Sequence, residues 1–468
     1  MTLPSSGAIS LSQINTELIR GVTDTISLND TAVRRLAQAL TTGTTITSPT
    51  DFWGKAANFL GTLTTSVAQD YGYSICQDNN GNLFATGSTR SIGSSASDHF
   101  YIAKFNSNGV LQWQRGLYSA RYDIGAAVVT NANGDVYAAG YTNGINVNKY
   151  DIFIVKYNAS GTLQWQRRYG NADTTLNASS MALDASGNVY IGGYRVSSVN
   201  NQAYALLLKV DSAGSLQWNY TYGNSLGDYI KDLKIVNNNL YVTGTTTTSG
   251  AGYTNALIAK LDLAGNLQWA KQLTAGGSSQ NTGSTLAVDA SENIYVGGAI
   301  SFASYEGLIA KLNSSGALIW ATGVRRNLED VYNPAVAITS TGNMLISFQQ
   351  SYPVSSIMQI DSSGARVWEN RLTGIYRRGV ANINDSLCLF GYYGDTAPQL
   401  SLAVLPKNGT GLGTYGPLYY ESGYDSSVYT PTTTVSALSI ATQSTSTTFS
   451  VGSMTEATPP ATYTKYNI

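Results

Sequence analysis

Short apolar runs, each closed by Gly, Asn, Asp or Ser, recur along most of the chain. GNLFATG (81–87), GDVYAAG (134–140), GNVYIGG (187–193), NNLYVTG (238–244) and ENIYVGG (292–298) form one class. YIAKF (101–105), FIVKY (153–157), LLLKV (206–210) and LIAKL (257–261 and 308–312) form a second. Both classes are rich in β-branched and aromatic residues and bounded by turn formers, which predicts strands. The N-x-x-G and D-x-x-G tetrapeptides between them fit hairpin turns, where Asn and Gly accept positive φ at little cost. No window within these segments places apolar residues at i, i+3, i+4 and i+7, so a helical reading fails.

Tryptophan marks the period. Trp113, Trp165, Trp218, Trp269, Trp320 and Trp368 are spaced by 52, 53, 51, 51 and 48 residues. Five carry related flanks, from NSNGVLQW ending at Trp113 to NSSGALIW ending at Trp320; DSSGARVW, ending at Trp368, is a looser copy. Four strands per period is the arithmetic of a propeller blade. The second class of run ends at Phe105, Tyr157, Val210, Leu261, Leu312, Ile360, Leu405 and Tyr466, which is eight copies. The expectation is therefore an all-β chain folded as a β-propeller of eight blades, with seven as the alternative. NFLGTLT (58–64) stands where a fourth strand would complete the last blade and remove an open sheet edge. The six tryptophans are expected to pack between blades. Lys104, Lys156, Lys209, Lys260 and Lys311, each one place before the end of its run, are read as solvated or snorkelling side chains.

Residues 1–56 follow another pattern. ISLSQINTEL (9–18) reads as a short helix opened by a Ser10–Gln13 capping box, with Leu11, Ile14 and Leu18 on one face. ISLNDTAVRRLAQAL (26–40) repeats the opening, with Val33, Leu36 and Leu40 aligned, and ITSPTDFWGK (46–55) brings Trp53. Two short helices and a turn bury little surface, so this small, mostly helical module needs a partner to be stable. The domain reading is thus 1–56 as a separate N-terminal module and 57–468 as a propeller closed by an N-terminal strand.

Composition narrows the chemistry. The chain has 468 residues, 12% of them charged, a net charge of −1, one histidine and two cysteines. That balance lacks the basic footprint of a nucleic-acid binder and gives no pull toward an anionic membrane. No run of about 18 apolar residues occurs, so no membrane insertion is expected, and the opening residues show no secretory leader. Lone His99 leaves no multi-histidine metal site and little scope for Ser-His-Asp catalysis; it reads as an exposed loop residue. Cys76 and Cys388, among apolar neighbours, read as free buried thiols, in keeping with folding in a reducing cytoplasm. No G-x-S-x-G, H-E-x-x-H or phosphate loop occurs, and Asp and Glu sit mostly in turns; no catalytic residue, cofactor or metal is expected. The candidate surface is one face of loops carrying Tyr141, Tyr150, Tyr194, Tyr204, Tyr253, Tyr392, Tyr393 and Tyr424. Tyr, Ser, Gly and Asn together make an adaptable binding surface, for a sugar or a neighbouring protein.

Two resemblances give these expectations a setting. GTLQWQRRYG (161–170) and LDASGNVYIGG (183–193) resemble the bacterial β-propeller repeat, and the Gly109-to-Trp113 spacing is similar to the tryptophan-docking motif of quinoprotein propellers. LPSSGAISLSQINTEL (3–18), SLNDTAVRRL (27–36) and TDFWGK (50–55) resemble the N-terminal segment of tailed-bacteriophage virion structural proteins. The second resemblance implies a virion protein, tail-associated and present in multiple copies, of fibre, adaptor or baseplate type. Leu11, Ile14, Leu18, Val33, Leu36 and Trp53 would then anchor it to other virion proteins, while the propeller meets a host-surface glycan or receptor. An enzyme acting on host-surface polysaccharide is the alternative.

Overall fold

The computed structural model describes residues 70–370 with their side chains, short stretches excepted, and as backbone the strands Phe59–Thr65 and those between 371 and 467. Six antiparallel sheets, each built on four consecutive strands, follow one another around an axial cavity. Blade one consists of Asp70–Gln77, Leu83–Thr89, His99–Phe105 and Leu111–Tyr118, named strands a to d from the axis outward. Blades two to six repeat the pattern over 123–169, 174–222, 229–275, 280–326 and 332–373. One further sheet stands between blade six and blade one: Tyr376–Ile383, Ser386–Tyr393 and Gln399–Leu405 are joined by Phe59–Thr65, and Ala461–Asn467 lies outermost.

This corrects the expectation of eight blades, or of seven: six propeller blades repeat the four-strand unit in full. The error came from counting copies of strand c. Leu405 ends the third strand of the closing sheet, whose fourth place is filled from the N-terminal side by Phe59–Thr65. Tyr466 opens no new blade, because its strand pairs antiparallel with the outer edge of Phe59–Thr65, Leu60 facing Tyr466. The mostly helical module also drops out of the fold as described: no helix occurs among the described residues, and the expected helices fall on residues 1–58, outside them.

Burial explains the strand classes. Strands b and c are buried at nearly every position, as in LFATGST of blade one, because a neighbouring blade covers each face. Near its end strand c admits a half-exposed place, and in blade after blade that place is lysine. The lysine is not freely solvated. Its ammonium sits 5.0–5.3 Å from an aromatic ring of strand b: Lys104 over Phe84, Lys156 over Tyr137, Lys209 over Tyr190, Lys260 over Tyr241 and Lys311 over Tyr295. A cation over a ring face adds roughly 0.5–1 kcal/mol at partly exposed sites.

Each tryptophan stands opposite that position on strand d, Trp113 paired with Lys104, Trp165 with Lys156 and Trp320 with Lys311; Trp368 faces Gln359 in blade six. The indole reaches into the next blade. Trp113 donates to the Ala159 carbonyl at 3.2 Å, Trp165 to Ser212 at 3.1 Å and Trp320 to Ser362 at 3.0 Å, all in the following c–d turn. In that turn Gly161 has φ +81°, and a Cβ there would lie 2.8 Å from the Trp113 ring. Positive φ and the ring's approach both demand glycine, which is why the turn tetrapeptide and the tryptophan recur at one period.

Strand a has a different irregularity. At one height in each blade an extra residue interrupts its pairing with strand b: Tyr73, Ala126, Ser179, Lys231 and Ser284 in blades one to five. All five line the axial cavity of about 710 Å³. Bulges of this kind re-aim side chains, and here they turn one residue per blade toward the axis.

Candidate functional site: a tyrosine arc at the cavity mouth

The start of strand a, the end of strand b and the start of strand c meet on one face of the ring, and tyrosine gathers there. Tyr71 and Tyr73 of blade one stack with centroids 6.5 Å apart. Tyr141 and Tyr150 of blade two meet edge to face at 5.4 Å and 90°. Tyr194 of blade three meets Tyr229 of blade four at 5.0 Å and 70°. Lys231 then lies over the Tyr229 ring at 5.4 Å.

These pairs form one arc. Burial pushes the Tyr141 phenol up to about 12, and the hydroxyls of Tyr73, Tyr194 and Tyr150, with Asp98, add smaller repulsions that place them as neighbours. Burial likewise raises Tyr194, with Tyr229 and Tyr150 beside it. Both phenols therefore stay protonated near neutral pH, offering uncharged donors, acceptors and ring faces rather than a base. All six tyrosines are half-buried, with surface left to meet a ligand.

The cavity behind the arc is polar and its carboxylates are occupied. Asp78 accepts the Asn80 and Asn82 amides and the Asn82 side chain within its own turn. Asp232 accepts the Ser180 hydroxyl at 2.7 Å, the Lys234 ammonium at 2.8 Å and the Leu286 amide at 2.9 Å, tying blade four to both neighbours. Lys231, one residue earlier, makes no such pair. Desolvation in the channel lowers its pKa.

His99 is not the exposed loop residue expected. It is fully buried, with Nδ1 3.0 Å from the Asp123 carboxylate of the next blade. Asp123 also accepts the Ser119 hydroxyl at 2.7 Å and the Thr142 hydroxyl at 2.5 Å. In a nucleophilic triad the serine donates to histidine; here it donates to the carboxylate, so the group clasps blades one and two. Asp151 holds the corresponding place in blade two, bound by Arg168. The Cys76 thiol is free and burial raises its pKa, while the side chain of Cys388 lies outside the described residues. Among the described residues no cluster of His, Cys, Asp and Glu could hold a metal.

Residues 164–194 match the Beta-propeller repeat family. No curated protein matches the chain. Among solved structures, a protein of unknown function from Bacteroides caccae is 12% identical with a TM-score of 0.37, covering 67% of this chain and 93% of that one. A protein of unknown function from Dyadobacter fermentans is 8% identical with a TM-score of 0.39, covering 74% of this chain and 97% of that one.

The matched propeller repeat runs from strand d of blade two to strand b of blade three, and so ends on Tyr194 of the arc. Of the tyrosines singled out in the sequence, the structure brings Tyr141, Tyr150 and Tyr194 together. Tyr204 pairs with Arg195, one position from the Tyr194–Ala205 pair, and therefore faces the other side of its sheet. Tyr253 is 39% exposed on a separate loop of blade four. Tyr392 and Tyr393 are described as backbone only, and Tyr424 and the anchoring residues Leu11, Ile14, Leu18, Val33, Leu36 and Trp53 lie outside the described residues. Tyr71, Tyr73, Tyr229 and Lys231 join the site from strand a, outside the loops expected to form it. Their signal is the shared register of DYGYS (70–74) and DYIKD (228–232).

Proposed function

We propose that the chain is a non-enzymatic structural component of a bacteriophage virion, tail-associated and held through residues 1–56, whose propeller face binds a host-surface glycan. The arc of tyrosines at the cavity mouth is the observation that carries this reading. Ring faces set around a concavity suit the apolar faces of sugar rings, while protonated phenols supply the hydrogen bonds. A flat protein partner would leave a cavity of about 710 Å³ unfilled. The virion setting rests on the resemblance of the three N-terminal phrases.

Titration calorimetry of the full chain with fragments of host-surface polysaccharide tests the reading. Saturable binding is expected, weakened at least about tenfold in Tyr141→Ala/Tyr194→Ala, since truncating two ring contacts removes more than 1.4 kcal/mol. No binding by the native chain would sink the glycan reading. Shortening of the polymer during the titration would favour the enzymatic alternative.

A further inference from the structure

Lys231 is a cation placed where a structural cation has no work to do. It is the bulged residue of strand a in blade four, turned to the axial cavity at the end of the tyrosine arc. Lys234, three residues on, is neutralised by Asp232 at 2.8 Å. The strand-c lysines that have an ion pair find it in a turn carboxylate, as Lys156 does in Asp135 and Lys260 in Glu292. Among the described residues no carboxylate and no hydrogen-bond acceptor satisfies Lys231. Its one contact is the Tyr229 ring at 5.4 Å.

Lys231 is exposed to the open channel, and among the described residues no carboxylate lining that channel cancels its charge. Both carboxylates that line the described cavity, Asp78 and Asp232, are saturated by other donors. The bulge positions flanking Lys231 around the axis are Ser179 and Ser284, hydroxyls able to share an anion's oxygens. Arg378 occupies the same register position of the closing sheet, so a second cationic residue is placed at this height of the ring. Being exposed to the channel, the Lys231 ammonium is open to an incoming anion, although the crowding of the channel lowers its pKa.

We propose that the cavity mouth takes an acidic saccharide, with Lys231 holding the sugar's anionic group and the tyrosine arc holding its rings. This rests on the glycan reading above and adds the charge that the glycan must carry. A carboxylate and a sulfate present the same chemistry to an ammonium, so both are tested.

The full chain is titrated with a galacturonic-acid tetramer, a sulfated galactose tetramer and a neutral galactose tetramer, beside Lys231→Met and Lys231→Arg. At least one acidic tetramer is expected to bind roughly tenfold or more tightly than the neutral one, the worth of one charge-assisted hydrogen bond. Lys231→Met is expected to erase that preference while keeping the neutral affinity, and Lys231→Arg to retain it. The acidic tetramer that binds better identifies the anion. Equal affinity for acidic and neutral tetramers, or an acidic preference unchanged in Lys231→Met, would overturn the acidic inference and leave the glycan reading standing. Failure of all three tetramers to bind, where polysaccharide fragments do bind, also overturns the acidic inference; failure of every saccharide takes down both.

Discussion

Glu292 occupies a turn position where the a–b hairpins of blades one, two, three and six carry glycine, and its φ is +62°. A side chain in that region costs about 1–2 kcal/mol, so something must compensate. The Glu292 carboxylate accepts the Tyr241 hydroxyl at 2.7 Å and the Lys260 ammonium at 2.8 Å, both from blade four. Asn237 and Asn239 add bonds at 3.2 Å. The Lys260 and Tyr241 bonds, in that order, hold the carboxyl down at about 2 against an ordinary 4.5. A group depressed on folding stabilises above its unfolded value and loses that contribution as pH falls toward the folded one. Glu292→Gln should therefore cost about 1 kcal/mol near neutral pH, less than the shift implies because the carboxylate touches water. It should also flatten the fall in stability between pH 4.5 and about 2. Urea unfolding at stepped pH checks this; parallel acid limbs for the two proteins would refute it. The turn itself is legible from Asp289 in DASE (289–292), but the replacement of glycine by a residue that bridges blades is not. Its partners, Lys260 and Tyr241, are set only by three-dimensional neighbourhood.

Strands show the same division between what pattern reveals and what topology adds. Trp spacing and turn tetrapeptides locate strands c and d within each repeat, because each position answers to packing within one period, but counting strand-c copies gives eight blades where the structure has six. The C-terminal strands answer to no such period. Leu418–Ser422 adds to strand d of blade six, Ser426–Tyr429 to blade five, Thr433–Ala437 to blade four and Thr442–Ser444 to blade three. Thr455–Ala457 then adds to blade one and Ala461–Asn467 to the closing sheet. The tail thus travels the circumference backward, giving each of these sheets an outer strand. Its Thr- and Ser-rich sequence has β propensity but little apolar alternation, and its strands take the outermost places of their sheets. Pairing of this kind shields the edge hydrogen-bonding groups of strand d. A chain ending at residue 412 should keep the blade cores but expose those edges. Amide exchange is expected to speed up in strand d of blades one, three, four, five and six, with little change in strand c, and the protein should self-associate more readily. Unchanged exchange in strand d would show that the rim strands hold nothing in place.

The whole molecule is fastened where its two ends meet. Phe59–Thr65 is hydrogen-bonded on one side to Gln399–Leu405 and on the other to Ala461–Asn467, so one strand from the front of the chain joins the end of the repeat array to the tail. Phe59–Thr65 itself takes the fourth place from the axis in the closing sheet, whereas the tyrosine arc lies on strands a to c of blades one to four. The proposed anchoring through residues 1–56 and the proposed recognition at the tyrosine arc are thus assigned to different parts of the chain. This separation makes the two roles separable by truncation. A chain of residues 57–468 retains the complete closing strand. It should unfold at the same temperature as the full chain and bind polysaccharide fragments equally well, yet be missing from purified particles. A chain of residues 66–468 loses the strand and leaves Gln399–Leu405 and Ala461–Asn467 without their shared partner. It should unfold several degrees lower and less cooperatively, because ring closure couples the blades into one transition. Scanning calorimetry gives the first comparison and protein analysis of particles the second. Incorporation of the 57–468 chain at native level would remove the anchoring role from the N-terminal module. A 57–468 chain as unstable as 66–468 would mean that the module belongs to the propeller's own fold.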